Sequence, residues 1–228
     1  MSEKKEFGDG FIFILGNYVW WFFAANIYFL LVNMPFIFIS LISAQIGVSG
    51  ANLLSIICLL PIGPALAALF SIMGKLIREK DIDVTKDFFR AYKTNFLEAL
   101  FFWVIIVFIL SAIYIDITVL KTSQTFNIIF IVLGFTIVSQ AFYIFPFISR
   151  FYLRKIDVVK LAFIYSIKKI HLTILNWILL ALLSILITVI PIIFIIFICS
   201  IYAYIVMYFQ KEILNEIEEK FLNSKEEV

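Results

Sequence analysis

Titratable side chains are scarce in this chain wherever catalysis would need them. It holds one histidine, His171, and two cysteines, Cys58 and Cys199, in 228 residues. Both cysteines fall inside apolar runs, so a disulfide framework has no support, and a lone histidine next to Lys168 and Lys169 builds no metal cluster with them. The cysteines read as small buried apolar residues. All 16 acidic residues map to loops, tails or helix ends. General acid–base catalysis needs titratable groups in a shielded pocket, and ion-coupled carriers hold an ionisable group within the bilayer, where its energetic cost marks it as functional. Both activities are disfavoured; no catalytic residue, metal or cofactor is expected, and the chain is not expected to be an enzyme. Glu98 comes closest, one turn inside a helix start, and reads as a snorkelling or headgroup-facing carboxylate.

Apolar residues are what the chain has in excess: 64% hydrophobic against 15% charged, with a mean hydropathy of +1.08. Soluble domains are about 45–50% apolar, so this is a polytopic membrane protein. A spanning helix takes about 20 apolar residues, which predicts an all-α bundle of about six spans forming a single integral membrane domain over residues 1–228. The spans are placed near Asn17–Ser43, Asn52–Ile72, Phe96–Ile115 and Phe126–Ser149, with two more in the charge-free run Leu172–Tyr208. Pro191 sits at the middle of that run, where it marks either a hairpin or a kink in one long helix. Lys4 and Lys5 resemble a short basic leader, but Glu3, Glu6 and Asp9 accompany them and no small-x-small cleavage site follows. The first helix is expected to stay.

The basic residues orient the bundle. Of 18 Lys and Arg, only Lys121 falls on the opposite side from the rest when six spans are drawn. By the positive-inside rule both termini are expected to be cytoplasmic. Residues 75–95 then form a cytoplasmic amphipathic segment and 209–228 a charged cytoplasmic tail. Such a surface favours anionic headgroups, and its cations hug the membrane border, which disfavours nucleic acid as a partner.

The most informative stretch is Leu59–Trp103. Pro61, Gly63 and Pro64 fall within a span, and proline at such depth requires neighbouring helices to satisfy the freed backbone groups. Gly63, Ala67 and Ser71 recur every four residues, a small-residue stripe for helix packing; a broken helix lining a substrate path is the alternative. Asp83 can cap a helix from Val84, on which Phe88, Phe89, Tyr92, Phe96 and Leu100 gather on one side and Lys86, Asp87, Arg90 and Thr94 on the other. An amphipathic interfacial helix between spans two and three is predicted. Asp87, Phe88, Phe89, Arg90, Tyr92, Lys93 and Phe96 thus lie either at the membrane surface or against a docking partner.

These same residues carry a resemblance. Pro61-x-Gly63-Pro64-Ala65-x-Ala67-Ala68-Leu69, Lys75-Leu76 and Asp87-Phe88-Phe89-x-x-Tyr92-Lys93-x-Asn95-Phe96 resemble the YesL-like family of bacterial membrane proteins, a domain of unknown function. Asn17-Tyr18-x-Trp20-Trp21 fits as well, whereas the charge-free excursion Pro35–Gly50 is longer than the pattern. The resemblance implies a multi-span protein of the bacterial plasma membrane, without established enzymatic activity and encoded near carbohydrate importers, and therefore an accessory role beside importer subunits. No family catalytic residue exists to carry over.

A shift of 74 residues aligns Ile82-Asp83-Val84 with Ile156-Asp157-Val158, Lys86 with Lys160, Phe89 with Phe163 and Trp103 with Trp177, either by coincidence or as a parallel repeat. The buried polar residues Asn26, Asn33, Gln140, Asn176 and Thr188 are uncharged and read as interhelical hydrogen-bonding groups. A carrier for a neutral solute stands as the second function; an intramembrane enzyme stands third.

Overall fold

Helix dominates because nearly every apolar run is long enough to satisfy its own backbone. The computed structural model describes residues 11–46, 53–80, 82–120, 124–189 and 195–226. In chain order the helices are α1 (Phe11–Val32), α2 (Met34–Ile46), α3 (Leu53–Leu59), α4 (Ile62–Glu79), α5 (Val84–Ile115), α6 (Gln124–Arg150), α7 (Lys155–Lys168), α8 (Ile170–Val189) and α9 (Ile195–Glu226). A π-helical turn, Asp116–Leu120, extends α5. Six of the described segments are long and apolar enough to cross a membrane: Phe13–Val32, Leu54–Glu79, Val84–Thr118, Gln124–Arg150, Ile170–Thr188 and Ile196–Lys220.

The centre of the bundle is α4, which touches α1, α5, α6 and α9. Its small residues make this possible: Ala65, Ala67 and Ala68 are wholly buried, and Gly63 faces α5 at a separation no side chain can enter. A Cβ on Gly63 would lie 2.4 Å from the Cβ of Trp103 and 3.1 Å from the Ala99 carbonyl oxygen. Close backbone approach of this kind is how helices pack where lipid gives no hydrophobic drive.

Pro61 and Pro64 mark the break between α3 and α4, whereas Pro146 lies inside the continuous α6. Pro61, which lacks an N–H, occupies the cap position of α4, with Pro64 in the first turn. The break strands carbonyls that a membrane interior would leave unpaired. Trp103 on α5 answers this, its indole N–H donating to the Leu59 carbonyl at 2.9 Å. Trp103→Phe, which keeps the ring and removes the donor, is expected to lower stability by about 1–3 kcal/mol, the penalty for an unpaired buried acceptor. Trp177 donates to Ser139 Oγ at 2.9 Å, and that hydroxyl still donates to the Phe135 carbonyl; Trp177→Phe should therefore be milder in the same thermal unfolding measurement in detergent.

The first span differs in detail from its sequence reading. Asn33 interrupts it, one residue before Met34 and two before Pro35, so α1 and α2 are separate helices. Tyr28 near the end of α1 reaches the start of α5, with its hydroxyl 2.8 Å from Thr85 Oγ1, while α2 packs on α3.

The run Leu172–Tyr208 forms two helices. Lys168, just before α8, lies 3.1 Å from Glu216 well along α9, so the chain returns to the end from which α8 departed. Pro191 and its neighbours fall outside the described residues, as do Gln45's successors Gly47, Ser49 and Gly50.

One segment takes a different place from the one expected. Residues 84–95 are not a separate interfacial helix but the first three turns of the 32-residue α5. Their aromatic face packs inward: Phe88 is 0% exposed, with its ring centroid 5.8 Å from that of Tyr28. A partner helix offers Phe88 the burial that the acyl boundary would otherwise supply. Residues 209–226, within the expected charged tail, continue α9, with Gln210, Ile213, Leu214 and Ile217 buried against the bundle.

Pairs of helices echo the 74-residue shift. α4 and α5 form one hairpin, α6 with α7 and α8 another, and in each the matched tryptophan bonds back to the first helix or its entry. The second copy breaks at Lys169, where Thr173 Oγ1 donates to the Ser166 carbonyl at 2.9 Å. Among the buried amides, Asn26 accepts from the Ser200 N–H across α1 and α9 at 3.1 Å, and Gln140 donates to Ser166 Oγ across α6 and α7 at 3.1 Å. Asn33 donates to the Phe29 carbonyl and Thr188 to the Ile185 carbonyl, bonds local in sequence.

Candidate functional site

Charges gather at one end of the bundle, and the helices bring them there from distant sequence. Ion pairs join the end of α4 to the start of α5, and the end of α6 to the second half of α9. Lys75 Nζ lies 2.7 Å from Asp87 Oδ2 and 3.7 Å from Glu79. Arg150 donates to Asn215 at 3.0 Å and pairs with Glu218. These pairs are half-buried or more on at least one side: Asp87 is 13% exposed and Arg150 11%. Partial desolvation strengthens such contacts over fully exposed ones, which contribute little.

Between α4, α5 and the end of α6 this end opens into a polar cleft of about 290 Å³. Ser71 and Lys75 line it from α4, Asp87, Arg90, Thr94 and Asn95 from α5, and Arg150 from α6. Asn95 is 6% exposed, and among the described residues its amide has no hydrogen-bond partner. Buried polar groups are normally paired, so Asn95 holds capacity for a group entering the cleft. Arg90 at the rim and Lys93 beside it are exposed and make no ion pair among the described residues. Asp83 caps α5 ahead of the cleft: its carboxylate accepts from the Lys86 N–H at 3.2 Å, and this bond, with the Lys86 ammonium, holds the carboxyl below the usual carboxylate range.

The sequence-derived residues divide between packing and cleft. Gly63, Pro64 and Ala67 are buried in the α4 interface, Pro61 is half-buried at its start, and Ser71 of the same stripe faces the cleft. Phe88 belongs to the core. Phe89 is 48% exposed and touches Tyr28, while Tyr92 stacks between Phe88 and Phe96. Glu98 is half-buried, one carboxylate oxygen lacking a hydrogen-bond partner, with Lys155 the neighbouring charge. His171 is exposed. Asn95 stood in the motif that carries the resemblance, with no role assigned to it, whereas Arg150, Asn215 and Glu218 were not singled out from sequence; Arg150 and Glu218 lie 68 positions apart, and no periodicity links them.

A second concavity, about 680 Å³, runs between α6, α7 and α8. Its walls are isoleucine, valine and phenylalanine, and its floor carries Ser139, Gln140, Ser166, Thr173 and Trp177. Tyr143, hydrogen-bonded to Thr173 at 2.8 Å, closes the same network beneath.

Comparison with known proteins bears on the first half of the chain. Residues 13–117 match a family described as a protein of unknown function, DUF624. An uncharacterized protein of Bacillus subtilis (strain 168), YteU, is 31% identical over 116 residues, 49% of this chain. The chain spans about half of that relative's length, 52%. No solved structure matches. The similarity is thus to uncharacterised bacterial proteins, and the residues that match the family model include the α4 and α5 walls of the cleft but not Arg150.

Proposed function

We propose that the chain is a non-catalytic accessory protein of the bacterial plasma membrane that docks a partner at its charged, cytoplasmic end, the partner being a membrane subunit of a carbohydrate importer. The observation that supports this reading is the pairing pattern at that end. Lys75 pairs with Asp87 between α4 and α5, Arg150 with Glu218 between α6 and α9, and Lys168 with Glu216 between α7 and α9, whereas Arg90 and Lys93 project from the same end without an ion pair among the described residues. Fixed scaffolds that present unpaired cations suit an acidic complementary surface, since charge complementarity sets specificity and association rate. The importer itself is drawn from the resemblance to YesL-like proteins, through the genes near which they are encoded.

Copurification tests this. Arg90→Glu with Lys93→Glu reverses the unpaired charges and leaves Phe88, Asp87 and Lys75 in place, so the protein should still accumulate in the membrane. The importer subunits should no longer copurify. Their retention by the double variant contradicts docking at this face.

A carrier for a neutral solute is the second reading, favoured by the polar floor of the α6–α7–α8 groove. Its hydroxyls and amides are uncharged, as a neutral solute would require. Uptake into vesicles containing this protein alone separates it from the first.

A further inference from the structure

We infer that the open pocket between α4, the end of α6 and α9 is a binding site for an oxyanion of the phosphate class. It has a volume of about 250 Å³ and is lined by Gly74, Arg78, Arg150, Met207, Lys211 and Asn215, with Ile77 and Leu214 completing the wall. Three cations and no carboxylate face it. Pockets for organic ligands run to about 300–1,000 Å³, so this one suits a single tetrahedral group better than a larger molecule.

Charge supplies the reason. The Arg78 and Arg150 guanidiniums repel each other, and among the described residues Arg78 makes no hydrogen bond or ion pair. Glu79 and Glu218 act on it only through space, and Glu218 is already bonded to Arg150. Each arginine stands in the last turn of its helix, where the negative end of the helix dipole favours a cation. That accounts for one arginine per helix. It does not account for both being turned, with Lys211 from a third helix, into one cavity.

The neighbours are arranged for the same end. Asn215 Oδ1 accepts from Arg150 at 3.0 Å, which orients the guanidinium and leaves the amide N–H₂ as a further donor. A Cβ on Gly74 would lie 2.5 Å from the Met207 methyl and 3.3 Å from an Arg78 nitrogen, so glycine lets both side chains close over α4. Guanidinium forks match phosphate oxygens two at a time. The oxyanion has two sources, the headgroup of an anionic lipid and a soluble phosphate, and the site lies apart from the exposed Arg90 and Lys93 invoked for docking.

The test uses the full chain, purified in neutral detergent. Inorganic phosphate should raise the thermal unfolding midpoint beyond the effect of chloride at equal ionic strength, and Arg78→Gln should weaken phosphate binding by about ten- to hundredfold, as loss of a charge-assisted hydrogen bond implies. Arg90→Gln should leave it unchanged. In bilayer discs, stabilisation by phosphatidylglycerol over phosphatidylcholine without any response to free phosphate assigns the oxyanion to a lipid headgroup; response to phosphate in both assigns it to a soluble source. No response in either arm overturns the inference. So does a response that survives Arg78→Gln. Without anion, Arg78→Gln should be at least as stable as the wild type, because it relieves repulsion; a clear loss of stability makes Arg78 a helix-end group only and overturns the site.

Discussion

Replacing Gly63 with alanine is expected to deplete the folded protein, although the same change is usually welcome in a helix. Alanine exceeds glycine in helix propensity by about 1 kcal/mol, and a tolerant site would show that gain. Gly63 is not tolerant: the new methyl would lie 2.4 Å from the Trp103 Cβ and 2.6 Å from its Cγ. Helices α4 and α5 would have to separate, and overpacking of this kind costs about 1–3 kcal/mol or more. Gly74→Ala is the matched control, since its nearest obstacle is the flexible end of Met207. Thermal unfolding in detergent should rank Gly63→Ala well below Gly74→Ala. Trp103→Ala should not rescue Gly63→Ala, because the atom in the way is the Trp103 Cβ itself, which alanine keeps.

Phe88→Ala should be the second severe substitution. Its side chain is 0% exposed and touches Tyr28, Phe89 and Tyr92, so truncation leaves a cavity worth about 3–5 kcal/mol. Phe89, about half-exposed, should tolerate alanine with a far smaller shift. Were residues 84–95 a helix lying on the membrane with both rings in the acyl boundary, the two would behave alike. Unfolding midpoints of the two variants in one detergent distinguish these cases.

The contrast between Phe88 and Phe89 also shows where sequence ceases to inform. Spacing at 100° per residue put both rings on one side of α5, correctly, but could not say whether lipid or Tyr28 covers them. Apolar surface satisfies the same pattern either way. Residues 209–226 raised the same difficulty: Lys211, Glu212, Glu216 and Lys220 mark it as polar, and only the bundle reveals that Ile213, Leu214 and Ile217 form a buried stripe. The number of long apolar helices and the two-helix division of the Leu172–Tyr208 run were legible, because length against bilayer thickness is a local property. The break in the first span was not, since Asn33 and Pro35 were read as part of one helix. The cleft was half legible. Asp87 and Asn95 stood in a distinctive motif, Ser71 in the small-residue stripe and Arg90 on the polar helix face, but Arg150 and the α9 carboxylates come together with them only through tertiary packing.

The orientation of the charged end carries the account as a whole, because docking requires Arg90 and Lys93 to face the cytoplasm. Reporter fusions along the chain measure it directly. Fusions after Arg78, Lys155 and Lys225 should report cytoplasm, and those after Gly47 and Lys121 the exterior. An exterior signal after Arg78 or Lys155, or one after Lys225 with the others unchanged, would contradict six crossings with this end inside.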